Sequence, residues 1–127
     1  MARGIKSLKQ RADFLRLAAV GRKAAAPGLV LQAAPQPEGL SRGTGLRVGF
    51  TASRKIGNAV ARNRAKRRMR ATAASILPQQ GRPATDYVLI ARASTADRPF
   101  PKLLADLEGA LRRIESAGRV LPSKNNL

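Results

Sequence analysis

The sequence predicts an α+β fold, a small two-layer sandwich with helices packed on a mixed sheet of three to four strands. Three observations carry this. Short strand-like stretches at residues 29–34, 46–51 and 86–91 alternate with helical patterns along the chain. A strand–helix–strand unit in the middle carries the most basic segment, so its helix must cross over between two strands. The last helical stretch has a broad apolar stripe that needs a sheet face to cover it. The chain has 127 residues, enough for one modest core. Residues 1–118 are read as that single domain and 119–127 as a flexible tail.

In chain order, Ser7 is the expected cap of a first helix running to about Val20. Leu8, Ala12, Leu15 and Ala19 recur at helical spacing and are expected to form its buried stripe. Phe14 and Leu17 lie on the adjoining flank. Phe14 is open to two roles there, core side chain or aromatic platform for a base. Gly21 is expected to end the helix, and Lys23 to Pro27 allows an edge strand. Leu29 to Ala34 reads as a strand. Leu46 to Thr51 is a second one, with Leu46, Val48 and Phe50 on one face and Arg47, Gly49 and Thr51 on the other. The loop between them contains Pro35, Pro37 and Gly39 and suggests a loose hairpin.

Asn58 is placed to cap the central helix, with Gly57 supplying a turn before it. Pro78 is expected to stop that helix. Asp86 to Ala91 includes the run Tyr87, Val88, Leu89, Ile90, apolar on both faces, and therefore belongs in the middle of the sheet. Pro99 and Pro101 introduce a last helix to about Ala117, striped by Phe100, Leu103, Leu104, Leu107, Leu111 and Ile114, with Gly118 as its stop.

The charge is concentrated on the central helix. Lys and Arg number 25 against seven acids, for a formal charge of +18. No acid occurs between Gly39 and Thr85, a span holding 11 of the basic residues. At 100° per residue, Ala61, Ala65, Met69, Thr72 and Ile76 share one uncharged arc of about 80°. Asn63, Arg64, Lys66, Arg67 and Arg70 sweep the opposite side, with Arg62 and Arg68 at the seams. Solvated helix faces normally pair opposite charges at i,i+4, and here no carboxylate is available. Like charges packed this densely call for a polyanion, and the arginine bias favours phosphate, so nucleic acid is the expected partner.

The composition excludes much else. Without cysteine there is no disulfide framework, thiol nucleophile or cysteine zinc site. Without histidine the commonest general acid/base and metal ligand is missing. Asp106 and Glu108 are the nearest pair of acids, and their i,i+2 spacing on a helix points them apart. No catalytic or metal-binding residues are assigned to the protein. No apolar run approaches the roughly 18 residues that a membrane span needs, and the first ten residues lack the apolar core of a secretory signal. A cytoplasmic location without a membrane partner is expected.

The stretch Arg47 to Arg70 reads RVGFTASRKIGNAVARNRAKRRMR. It resembles the signature of the bacterial ribonuclease P protein subunit, above all in Lys55 to Val60 followed by Arg62 to Arg67. The early helix with Leu8 and Phe14, the strand Leu29 to Ala34, and Asp86 to Arg92 extend the resemblance over most of the chain. The family's activity is removal of the 5′ leader of precursor tRNA, by a catalytic RNA that binds Mg²⁺. The resemblance implies that Arg54, Lys55, Arg62, Asn63, Arg64, Lys66, Arg67, Arg68 and Arg70 face that RNA. For Asn63 a purely structural hydrogen-bonding role stands beside RNA contact. A leader cleft between first helix, sheet and central helix is implied as well, with Phe14, Leu17, Leu31 and Arg47 at or near matching places. Ala18 and Gln32 stand where relatives tend to have further aromatics, so weaker stacking is expected. The partners implied are the catalytic RNA and precursor tRNA, with no obligate protein partner. The alternatives from composition alone are a structural RNA-binding protein, such as a ribosomal protein, or a DNA-binding protein.

Overall fold

The computed structural model describes residues 5–37 and 45–126, with side chains through residue 116. The elements are β1 (Ile5–Ser7), α1 (Arg11–Val20), β2 (Arg22–Ala25), β3 (Leu29–Pro35), β4 (Leu46–Thr51), a short 3₁₀ turn (Arg54–Ile56), α2 (Ala59–Gln80), β5 (Thr85–Ala91) and α3 (Phe100–Asn126). The α+β class holds, with five described strands in one mixed sheet of order β1-β4-β5-β3-β2.

β5 sits at the centre, parallel to β4 and antiparallel to β3. The expected hairpin of β3 with β4 is therefore not formed, because β5 lies between them. A strand apolar on both faces gains most where both are covered, and the α2 crossover delivers it beside β4. Residues 38–44 of the intervening loop lie outside the described residues.

Helices cover both faces of the sheet. On one side α2 and α3 enclose the main core. There Leu29, Leu31, Ala33, Leu46, Val48, Tyr87 and Leu89 meet Ala65, Met69, Leu77, Leu103, Leu107 and Leu111. Fully burying each of the leucines is worth about 1.5–3 kcal/mol. On the other side α1 closes a smaller cluster of Leu8, Leu17, Ala34 and Val88, with Phe14 and Ile90 against it. The strand alternation read from the sequence is what separates these two cores. Tyr87 points into the larger one, where burial raises its phenol above the ordinary range even though its oxygen accepts the Arg82 N–H.

The stripe expected on α1 is turned outward. The helix begins at Arg11, after Gln10, and residues 5–7 form a strand parallel to β4. Leu8 is buried from the connection between them, while Ala12, Leu15 and Ala19 are exposed. Leu17 is fully buried instead. Leu17 with Phe14 offers more apolar area than one leucine and two alanines, which decides the facing.

α2 follows its predicted arcs. The Asn58 side chain accepts the Ala61 N–H at 2.9 Å, a cap worth about 0.5–2 kcal/mol. Gly57 just before it has φ 145, where a side chain would be strained. Pro78 does not stop the helix, which runs to Gln80. Burial of Ile76 and Leu77 holds the last turn, and the Gly81 N–H closes it on the Leu77 carbonyl at 2.9 Å. In α3 every expected stripe residue is buried or half-buried. That helix does not stop at Gly118 but is continuous through it to Asn126.

Candidate nucleic-acid interface

Arg64, Arg67, Arg70 and Asn63 are exposed on the outer arc of α2, and Arg54 and Lys55 are exposed on the turn before it. Lys66, Arg62 and Arg68 are half-buried. Among the described residues, none of these cations is in an ion pair. Their inner neighbours Ala65, Met69 and Thr72 are fully enclosed. One helix thus separates packing from charge, as its sequence arcs required.

Two of the seam arginines do structural work. Arg62 donates to the Gly57 carbonyl at 2.9 Å, steadying the turn that starts α2. Arg68 donates through Nε to the Thr95 carbonyl at 3.1 Å and through its Nη2 to the Arg98 carbonyl. Thr95 is fully buried and donates its hydroxyl to the Gly28 carbonyl at 2.6 Å, while Arg98 is paired with Asp106 at 2.6 Å. Arg68 is thus a strut from α2 to the 92–98 loop. Of the nine candidates it has the least to give to an RNA phosphate.

Beside α2 an open cleft of about 430 Å³ is lined by Phe14 and Arg11 of α1, the preceding Lys9, and Lys66 of α2. The 50–53 segment forms its remaining wall. The cleft exists because β1 pairs only with Leu46 to Val48, which leaves the outer edge of β4 open beyond that point. Phe14 reaches over Gly49, where any Cβ would come within 2.5 Å of the ring. Phe50 lies on the opposite face, its ring covered by the Arg70 guanidinium at 5.6 Å, a cation–π distance. Lys66 joins the cleft to the basic face of α2.

The four expected leader-contact residues fare differently. Phe14 is half-buried and lines the cleft. Leu17 and Leu31 are fully enclosed, in the smaller and larger core respectively, and present no surface to a ligand. Periodicity could not show this, because both lie on strands or helix flanks whose covering elements come from distant sequence. Arg47 donates to both carboxylate oxygens of Asp86, at 2.7 and 2.6 Å, which raises its already high pKa. Its guanidinium is committed within the protein. The sequence pattern does not mark Lys9, Arg11, Phe50 and Thr51, which also line the cleft. Only Phe50 left a usable signal, a phenylalanine closing a strand just before the basic motif.

Among the described residues there is no group of three or more acidic side chains placed to hold a metal ion. Nor is any helix there long and apolar enough to cross a membrane.

An α+β domain presenting an arginine-rich helix face, unpaired among the described residues, beside an aromatic cleft belongs to the class of nucleic-acid-binding proteins. The family model described as Ribonuclease P matches residues 3–115. The ribonuclease P protein component of Paramagnetospirillum magneticum is 52% identical over 114 residues, covering 90% of this chain and 86% of the relative. That of Ruegeria pomeroyi is 53% identical, covering 89% of each. The solved RNase P protein of Thermotoga maritima superimposes with a TM-score of 0.67 at 25% identity, over 86% of this chain and 97% of that one. For the Staphylococcus aureus RNase P protein the TM-score is 0.66 at 28% identity, over 84% and 92%. The chain belongs to the bacterial ribonuclease P protein family. Its role is therefore that of an RNA-binding protein component in an endoribonuclease whose RNA is catalytic, acting in 5′ maturation of tRNA.

Proposed function

We propose that the outer arc of α2 docks on the catalytic RNA and that the cleft beside Phe14 receives the single-stranded 5′ leader of precursor tRNA. The observation that carries this is the cationic face of α2, unpaired among the described residues and continuous through Lys66 with a cleft bearing two aromatic rings. Arg54, Lys55, Arg64, Arg67 and Arg70 are free to meet phosphates, with Arg62, Asn63 and Lys66 beside them. In the cleft, Phe14 offers a stacking surface, while Lys9, Arg11 and Lys66 balance the leader's charge. The reaction is cytoplasmic, and Mg²⁺ held by the RNA supplies activation of water and stabilisation of the leaving oxygen.

The protein's own contribution is electrostatic and positional. It neutralises phosphates that otherwise repel between catalyst and substrate, so less metal is needed to screen them. The protein alone is expected to cleave nothing, and to restore precursor tRNA cleavage at low Mg²⁺ when added to its cognate RNA. A Mg²⁺ titration of the RNA with and without protein tests this. Cleavage by RNA-free protein, or an unchanged Mg²⁺ requirement, would count against it.

The assigned face has its own test. Replacing Arg64 and Arg67 by Ala removes two exposed charges without touching the buried arc. The slope of log affinity for the RNA against log salt should flatten by about one unit or less per arginine. The urea midpoint should hold or rise, because self-repulsion falls. An unchanged slope would place the RNA on another face.

A further inference from the structure

Four charged side chains tie α1 to the sheet, and the RNA-facing surface does not use them. Asp86, in β5, is fully buried. It receives the Arg47 fork from β4 and the Arg16 Nη2 from α1. Arg16 also donates to the Pro35 carbonyl at 3.0 Å and to Asp13 at 3.2 Å, and Arg47 reaches Asp13 at 3.5 Å. Two acids and two arginines from three elements close into a neutral cluster.

We infer that Asp86, Arg47 and Arg16 are positioning residues that set where α1, and with it Phe14, stands over the open edge of β4. This rests on the leader reading of the cleft. The apolar grip on α1 is small: Leu17 is its single fully buried side chain, while Ala12, Leu15, Ala18, Ala19 and Val20 are exposed. Apolar contact is non-directional, whereas a two-toothed guanidinium–carboxylate fork fixes angle as well as distance. Buried ion pairs add little net stability, so the role inferred for this one is to fix geometry. The link to the cleft is short. Asp13 adjoins Phe14 in α1, and Arg47 lies two residues before Gly49 on the same face of β4. Any rotation of α1 permitted by a loosened fork therefore moves the Phe14 ring against the strand edge.

The test uses the assembled holoenzyme. Arg47→Lys keeps the charge and loses the fork, and Asp86→Asn keeps the shape and loses the charge. Each should weaken precursor tRNA binding roughly ten-fold, within the limit set by removing Phe14 itself, and leave mature tRNA binding unchanged. The salt slope of precursor binding should not move, since no leader phosphate contact is lost. In a Phe14→Ala background neither substitution should cost anything further, because both act through the same ring. A urea melt reports how much fold survives. If Asp86→Asn does not fold, Arg47→Lys, at a partly exposed position, carries the test alone.

Losses that multiply with Phe14→Ala would overturn the inference, as would an unaffected precursor affinity in Arg47→Lys. A flattened salt slope would make Arg47 a phosphate contact instead. If Phe14→Ala itself spares precursor tRNA, the leader reading fails and takes the positioning role with it. If Phe14→Ala discriminates the two tRNAs and the fork variants do not, only the positioning role fails.

Discussion

Phe14→Ala is expected to weaken binding of precursor tRNA to the holoenzyme by roughly one to two decades while leaving mature tRNA, which has no leader, nearly unaffected. A stacked base is worth about 1–3 kcal/mol by alanine substitution, which converts to that loss. Phe14 is the α1 aromatic that lines the cleft, and Gly49 beneath it leaves room for the ring. Since Phe14 also packs on Leu8, Leu17, Ala34 and Val88, some stability should go with it. Full burial of a phenylalanine would cost about 3–5 kcal/mol on truncation, and a half-buried ring roughly half of that. Binding of the two tRNAs, together with a urea melt of the free variant, separates the contributions. Equal losses for both tRNAs with a large fall in the melting midpoint would make Phe14 a core residue only.

Met69→Ala should do the opposite of the paired arginine substitutions on the same helix. Met69 is fully buried on the inner arc of α2, against the sheet and α3. Truncating it leaves a cavity in a close-packed core, at a cost of about 2–5 kcal/mol. That is a large share of the 5–15 kcal/mol typical of whole-domain stability. The charged face is untouched, so the protein that remains folded should bind RNA with an unchanged salt slope. Thermal or urea unfolding gives the first quantity and a salt series the second. A normal melt with a changed slope would mean that the two faces of α2 are assigned the wrong way round.

The contrast between these variants reflects how unevenly the fold was legible. α2 was readable because one segment carries all its own information. Its cap, its apolar arc and its acid-free outer arc are local patterns with a 3.6-residue period, and the structure keeps them even through Pro78. β4 and β5 were readable for the same reason, from alternation and from an apolar run that had to be central. α1 misled because its pattern is weak. Two alanines and Leu15 at helical spacing outnumber Leu17 and Phe14 but bury less area, and only the sheet beneath the helix decides between the two flanks.

The class of fold, the basic face of α2 and a nucleic-acid partner follow from the amino-acid order alone, because helical period, strand alternation and uncompensated charge are local properties. Which candidates are free to act depends instead on long-range packing. Leu31 went into the core with the sheet face that α2 and α3 cover. Arg47 went to Asp86, 39 residues away, and Arg68 to carbonyls 27 and 30 residues away. The open edge of β4, and the cleft it makes beside Phe14, exist because β1 ends at Ser7 and pairs no further than Val48. Each of these outcomes depends on which distant segments meet, and a guanidinium bonds whichever acceptor the fold brings to it.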